Sequence, residues 1–597
     1  MKYFLNYIRR LLRTLFSKRY NLYDFILLIL FGISLILITT FKISGDDDLF
    51  WHLETGRYIV ETGTIPSTDV FGFATADEQW IPTGWSWDII MYSMFNISGY
   101  LGISIFRTMI FLLVFLIYYK ILAKLNVSKN IILLVLILLT FAIFDRLLPK
   151  PQNISYLFLV LLLSIIINFK YINRKNYRIL YWLPLIFLIW ANMHMGVLAG
   201  MGLLGIFLIS EIIVYFFKDK FSSNEIAPLS KKDLLRLSAV SAITVISILI
   251  NPHGFTKYSY VYSHLTVNMQ NEITEWFSPF NQIYIDRFFT IIYFIFLGGA
   301  FLILYYASVK KDLFAVMLCL AFSVYSTQTI RYSIDFMIVM VVYLALSLDF
   351  FIMNLKSRII KDLLLKSNEL KIGILILLIV IISAIPDNRL YEFLNYRRVS
   401  GFGIDDYYYP ANLFNFIEEN EIQEIGERPF NSYECGGYFI WSFKDRKNFI
   451  DSRYLNDSLF NDFNIIDNKL PGFEKKIKEY DFDYIIWFYS DLLIELGSMK
   501  VSIVSYLINK PDEWKLIYWD DNSFLFVKNE NKFKDIILKH EYKYVNPLNY
   551  VYQREILMRA LADSKEEVFN EIRRKMEYEP EGIFIRAIAK SLKFQGD

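Results

Sequence analysis

Down to residue 386 the chain alternates long, almost uncharged apolar runs with polar stretches, and beyond it the long runs stop. About 20 consecutive apolar residues cross the hydrocarbon of a bilayer as a helix. Read by length, the runs predict spans near 22–43, 99–120, 130–148, 153–170, 178–193, 195–217, 236–250, 288–307, 312–330, 333–353 and 370–386, about eleven in all. The first run is too long for a signal-peptide core and lacks a small-residue cleavage site, so it reads as a retained anchor. Ahead of it, in 1–21, Lys2, Arg9, Arg10, Arg13, Lys18 and Arg19 are interleaved with Leu, Phe and Tyr. That is the pattern of a basic amphipathic helix lying on an anionic cytoplasmic leaflet.

After residue 386 the period shortens. Phe482–Phe488 is a short aromatic and apolar run of buried-strand type, and Lys515–Trp519 with Phe524–Lys528, joined by Asp520-Asp521-Asn522-Ser523, reads as a hairpin. Helical patterns at Pro410–Asn420, Leu470–Tyr480 and Asp491–Asn509 alternate with these strands, which predicts an α/β domain over 387–530. From 531 to 597 strand signals vanish, and Val551–Met576 and Gly582–Phe594 read as helical hairpins of a repeat-like tail. The predicted fold class is therefore an α-helical polytopic membrane domain over 22–386, followed by an α/β domain and a helical tail.

Charge supplies the orientation. Lys120, Lys124 and Lys129 share one loop, and Lys170, Arg174, Lys175 and Arg178 the next on that side. Lys218, Lys220, Lys231, Lys232 and Arg236 follow, then Lys310 and Lys311, then Lys356, Arg358, Lys361, Lys366 and Lys371. The intervening loops carry roughly a quarter as many basic residues, so the positive-inside rule sets the N-terminus in the cytoplasm. Long loops at 44–98 and 251–287, and everything after 386, are then predicted to lie outside the plasma (inner) membrane.

Composition agrees with a membrane protein and excludes other classes. Hydrophobic residues make up 55% of the 597, with a mean hydropathy of +0.35. A net charge of +2 gives no reason to expect nucleic acid. Five histidines and two cysteines, scattered along the chain, make no zinc or iron–sulfur framework.

The predicted outer segments hold the candidate chemistry. In Ser44–Gly63, Asp46 or Asp47 is placed to cap a helix that stops at Gly63, with Asp48 and His52 four apart on one face. Trp51, Tyr58 and Ile59 are expected at the bilayer interface. The aspartates read as caps, or as a general base or cation ligand. Asn251-Pro252-His253-Gly254 reads as a loop start, and Glu275-Trp276 lies in an interfacial segment. Asn192 and His194 end the fifth span, where a polar pair serves helix-to-helix hydrogen bonding or chemistry. Cations near the outer face are few, and Arg107, Arg146, Lys150 and Arg331 stand out among them. Arg331 has Asp335 one helical turn on, which predicts mutual neutralisation; a guanidinium without such a partner suits a phosphate.

These motifs, in order, resemble a family. The stretch DDDLFWHLETGRYIVETGTIPSTDVFGF is similar to the first outer loop of large membrane proteins related to the GT-C glycosyltransferases, lipid-linked-sugar transferases that include protein mannosyltransferases and aminoarabinose transferases. Lys150-Pro151-Gln152, Trp190 through Gly196, Asn251 through Gly254, Glu275-Trp276 with Ser278-Pro279, Arg331, Phe430–Phe443 and Phe449-Ile450-Asp451-Ser452-Arg453 follow in family order, so the resemblance covers about 40–530. It implies a GT-C fold and transfer of a sugar from a polyprenyl-phosphate-linked donor to an extracytoplasmic acceptor. Asp46 and Asp48 match the family's acidic pair, as base or as ligands of a divalent cation (Mg or Mn). Arg331, with Arg146 and Lys150, would meet the donor phosphate, and His52, Glu54, Asn192, His194, Glu275 and Trp276 would line the substrates. Where relatives carry a His-Glu pair before a tryptophan, this chain has Thr83-Gly84-Trp85, leaving Glu54, Asp69 and Asp88 as reserve carboxylates.

Two other classes remain open at this point. A non-catalytic scaffold for assembling envelope polysaccharide would bind a protein partner through the helical tail. A transporter would need an inverted repeat and mid-membrane charges, and neither is evident.

Overall fold

Hydrophobic run length carries over directly into helices. The computed structural model describes residues 22–45, 47–76, 78–174, 176–221, 227–264, 274–453, 456–490, 492 and 496–594. The basic segment 1–21 lies outside them, as do Asp46 and Lys175. Two compact units emerge, one from 1–43 with 83–403, the other from 44–82 with 404–597.

In the first unit, helices occupy each of the eleven apolar stretches. Trp85–Lys124, Gln152–Ile172, Val197–Phe216, Phe288–Val309 and Ile330–Met353 are long and apolar enough to cross a membrane, and Arg358–Leu365 with Asn368–Ala384 forms a further pair bent by 42°. Tyr23–Thr39, Lys129–Ala142, Tyr177–Met193 and Leu313–Ser326 are shorter apolar helices. The unit is an integral membrane domain, and its surface agrees: Leu101, Ile105, Met109, Leu113 and Leu116 expose an apolar stripe that only lipid solvates well. The Trp85–Lys124 helix is broken at Ser98 and Gly99, where Gly99 takes φ 60°, so its first part leads into the predicted span. Of the five long spans, Ile330–Met353 is the most enclosed after Gln152–Ile172, and it packs on Phe288–Val309, Leu313–Ser326 and Lys129–Ala142.

Buried ion pairs tie the helices together. Asp24 accepts from Lys129 at 2.7 Å and Lys371 at 2.6 Å, joining three helices. Arg107, a candidate phosphate ligand by sequence, instead donates to the carbonyls of Thr39 at 2.5 Å and Phe41 at 3.1 Å. It satisfies the C-terminal end of the first helix, whose last carbonyls have no partner within the helix.

The second unit is built on a four-stranded sheet: β1 (Pro429–Asn431), β2 (Tyr484–Phe488), β3 (Trp514–Trp519) and β4 (Ser523–Lys528), in the order β1-β2-β4-β3. β1 runs parallel to β2, and the other pairings are antiparallel. Side chains alternate between two cores, Ile485, Trp487, Phe524 and Phe526 on one face, Tyr484, Ile486, Leu525 and Val527 on the other. The β3–β4 turn is closed by Asp520, which accepts from Asn522 N at 3.0 Å and Ser523 Oγ at 2.5 Å.

Helices Arg554–Asp563, Lys565–Tyr578 and Ile583–Ser591 complete the first of these cores with Leu557, Val568, Ile572, Phe584, Ile585 and Ile588. Glu571 accepts the backbone N–H groups of Lys543, Tyr544 and Val545 at 2.8–3.1 Å. Much of the tail's apolar surface thus packs within its own unit, while Leu538, Ile556, Met558 and Ile583 stay exposed.

Candidate active site

The first-loop helix runs Asp48–Thr62 and ends at Gly63 in the left-handed region (φ 68°), as its sequence predicts. Asp47 stands at the N-cap position without a side-chain capping bond. Asp48 takes the first helical position, and its Oδ1 accepts from Ser452 Oγ at 2.6 Å and Trp51 Nε1 at 3.2 Å. Asp46, the other expected catalytic residue and metal ligand, lies outside the described residues.

Trp51 and Tyr58 pack on the aromatic core containing Phe71 and Trp80, and Ile59 is buried. Where the sequence suggests the bilayer interface, these side chains pack instead on the unit's own apolar core. His52 is buried with its ring 3.6 Å from that of Trp51. Glu54 is buried and paired with Arg57, which lies 4.9 Å over Trp441. Burial pushes the Glu54 carboxyl up to about 7 against the opposing pull of Arg57.

Behind Asp48 stands the segment Phe449–Arg453. Arg453 grips Asp451 bidentately, at 2.8 Å through Nε and 2.7 Å through the guanidinium, and reaches Asp69 at 2.6 Å. Asp69 also accepts from Phe71 N, Gly72 N and Thr75 Oγ1. Burial raises the Asp69 carboxyl, but Arg453 and these hydrogen bonds hold it below the usual carboxylate range. The glycines of Glu434-Cys435-Gly436-Gly437 allow the close approach. A Cβ at Gly436 would lie 2.0 Å from Ile450 O, and one at Gly437 2.7 Å from Asp47 O. The sequence marks Asp451, Ser452 and Arg453 only as family-like; that Ser452 bonds Asp48 depends on a pairing 404 residues apart.

The helical unit carries the cations, and they converge. Glu275 Oε1 accepts from Arg146 at 2.7 Å and lies 3.9 Å from Lys150 Nζ, while its Oε2 accepts from Arg331 Nε at 2.8 Å. Burial raises the Glu275 carboxyl, but Lys150, Arg146 and Arg331 together hold it well below the usual range. Arg331 also lies 4.8 Å over the ring of Trp276. The expected Arg331–Asp335 pair does not form in the described structure, since Asp335 accepts from Tyr325 at 3.4 Å instead. A backbone bond and a side-chain bond fix the arrangement: Ile330 N donates to Phe277 O at 2.8 Å and the Ser278 hydroxyl to Thr327 O at 2.7 Å. Three residues expected at the donor phosphate and two expected at substrate therefore form one cluster.

Asn192 and His194 divide. Asn192 accepts from Trp85 Nε1 at 2.9 Å and donates to the carbonyls of Leu188 and Ile250, each at 2.9 Å, so its amide holds helices together. His194 Nδ1 accepts from Gly196 N at 3.0 Å and pairs with Ser155 Oγ at 2.6 Å, while Ser155 accepts from Trp190 Nε1 at 2.7 Å. The proton-free Nδ1 leaves the ring proton on Nε2. The Asn251–Gly254 segment is the expected turn, held by Asn251 Oδ1 accepting from His253 N at 3.1 Å. Of the reserve carboxylates, Asp88 is fully buried.

For a divalent cation, the donor set is thin. Among the described residues no group of three or more His, Cys, Asp or Glu side chains stands close enough to hold a metal ion. Asp48 is the described half of the expected pair and already accepts two hydrogen bonds at one oxygen.

Helices long and apolar enough to cross a membrane, with a small C-terminal sheet, make this an integral membrane protein. The fold is that of the archaeal oligosaccharyltransferase AglB from Archaeoglobus fulgidus, solved with an inhibitory peptide and a dolichol-phosphate. The two chains are 10% identical, with a TM-score of 0.51 over 85% of this chain and 74% of that one. The Archaeoglobus fulgidus oligosaccharyltransferase tethered to an acceptor peptide is 11% identical, with a TM-score of 0.50 over 86% of this chain and 74% of that one. ArnT from Cupriavidus metallidurans, bound to undecaprenyl phosphate, is 10% identical at a TM-score of 0.46, over 86% of this chain and 98% of that one. No family model matches the chain, and no curated protein matches it by sequence.

Proposed function

We propose that this protein is a membrane glycosyltransferase that moves a sugar from a polyprenyl-phosphate-linked donor to an acceptor outside the membrane. The convergence of Arg146, Lys150 and Arg331 on one two-oxygen anion carries the reading. Two guanidiniums and an ammonium around one point suit a phosphoryl group, which guanidinium binds through paired oxygens. Stabilising charge on the departing phosphate lowers the barrier to breaking its bond to the sugar. Asp48, oriented by Ser452 and Trp51, is the base assigned to the acceptor hydroxyl. The bond formed joins the acceptor oxygen to the sugar, and the one broken joins the sugar to phosphate oxygen; the acceptor's proton passes to Asp48. Oligosaccharyltransferase neighbours solved with a dolichol-phosphate and with an acceptor peptide support a lipid-phosphate donor and a separate acceptor. The predicted topology, with an N-terminus in the cytoplasm and the α/β unit outside, is part of the same proposal.

The test is binding of undecaprenyl phosphate to the purified full-length protein in nanodiscs. Arg331→Ala and Arg146→Ala are expected to weaken it at least about tenfold each, since losing a charge-assisted phosphate contact costs about 1.5–3 kcal/mol. Unchanged affinity in both would sink the assignment.

A further inference from the structure

The cation cluster is already filled, and by a side chain of the protein itself. Glu275 presents two oxygens on one carbon: Oε1 to Arg146 and Lys150, Oε2 to Arg331. A phosphodiester presents two terminal oxygens on one phosphorus with the same single negative charge. Glu275 is also three-quarters enclosed, so its charge depends on those cations rather than on water. An arriving phosphate cannot share the seat, because two anions at one point repel strongly where water is scarce.

We propose that Glu275 is a resident competitor in the donor's phosphate seat, displaced when a phosphodiester-linked lipid binds. This rests on the proposed reading of Arg146, Lys150 and Arg331 as the phosphate site. Exchange of carboxylate for phosphodiester leaves the charge of the seat unchanged, and it returns the cations to a partner after the lipid leaves. The geometry therefore selects a donor with one phosphate over one with two, because a diphosphate adds a second anionic centre that this two-oxygen grip does not cover. It also gives Glu275 a role opposite to the substrate-binding one expected from sequence: removing its charge strengthens donor binding. The 274–278 segment, pinned to Thr327 and Ile330 by backbone carbonyls, sets where the carboxylate returns.

The experiment measures affinity for undecaprenyl phosphoglucose, a phosphodiester-linked lipid, of the full-length protein in nanodiscs, wild type against Glu275→Gln and Glu275→Asp. The Gln variant keeps the shape and loses the charge, and is expected to bind about tenfold tighter or more, the range of an ordinary coupling between two sites. The Asp variant keeps the charge on a shorter arm, so it is expected between wild type and Gln. If the Gln variant is monodisperse and binds no tighter than wild type, the displacement idea is wrong; if it does not fold, the Asp variant decides by the same criterion. Unaltered binding in Arg331→Ala would instead overturn the phosphate seat itself. Undecaprenyl phosphoglucose is expected to bind wild type more tightly than undecaprenyl diphosphoglucose, and the reverse order would overturn the choice of donor. Inorganic phosphate at millimolar concentration is expected not to displace the lipid; full displacement would make this a free-anion site.

Discussion

The Ser452 hydroxyl donates to the Asp48 carboxylate at 2.6 Å. A donor aimed at one carboxylate oxygen fixes the rotamer and stabilises the ionised form that a base needs. Asp48→Asn is expected to lower sugar transfer by about 100-fold or more, the usual contribution of a general base, with normal expression. Ser452→Ala should cost far less, because the carboxylate survives and Trp51 still donates. Transfer rates of purified variants check this order; full activity in Asp48→Asn would remove the aspartate from the mechanism.

Arg453 and Asp451 call for a different measurement. Their side chains are about 2% and 3% exposed, and the guanidinium also holds Asp69. Removing one partner of such a pair leaves a buried charge and costs about 3–5 kcal/mol. Asp451→Asn is expected to lower stability by that order, and Arg453→Lys by less, because lysine keeps the charge but cannot reproduce the two-pronged grip. Denaturant unfolding followed by tryptophan fluorescence reads it, since Trp80 lies 4.6 Å from the guanidinium. A loss under about 1 kcal/mol would contradict the role.

His540 sets a pH dependence. Burial lowers its pKa to about 4, with Lys539 and Arg574 adding to the effect. Unfolded, the ring titrates near 6.5, the ordinary value of a histidine. The unfolded chain therefore takes up the proton first, so this contribution to stability is full above pH 6.5 and is lost as pH falls toward 4. The melting temperature of wild type should fall over that window, and His540→Gln should flatten the fall. Equal slopes in the two proteins would show that the ring does not titrate as described.

Arg107 separates a structural cation from the phosphate-binding ones. Its guanidinium donates to Thr39 O and Phe41 O and stacks 4.1 Å over the Phe41 ring. Arg107→Gln is expected to reduce thermal stability while leaving undecaprenyl phosphate affinity within about twofold, because the change does not touch the Glu275 cluster. Affinity lost as in Arg331→Ala would place Arg107 at the lipid after all.

Long-range pairing separates what could be read in advance from what could not. Helices over 99–120 or 333–353 follow from run length, and the β3–β4 hairpin follows from a polar turn between two aromatic runs. β1 was hidden, because Pro429–Asn431 is three residues long, starts with proline and is buried throughout, so it offers no alternation. Trp51 and Tyr58 pack on a core although their sequence suits a bilayer interface, because an interface aromatic and a core aromatic look alike in one dimension. Arg331 was matched with Asp335 for the same reason: a helical turn is visible in sequence, whereas the 56 residues to Glu275 are not. Motif order still brought Glu275, Lys150, Arg146 and Arg331 onto one short list, although not into one cluster with the carboxylate at its centre.

The most direct measurement follows the donor itself. Membranes carrying the full-length protein are incubated with sugar-loaded polyprenyl phosphates, and mass spectrometry follows their conversion to free polyprenyl phosphate. Conversion by wild type that disappears in both Asp48→Asn and Arg331→Ala is the predicted result. No conversion by wild type above membranes lacking the protein, or equal conversion by wild type and both variants, would contradict the assignment.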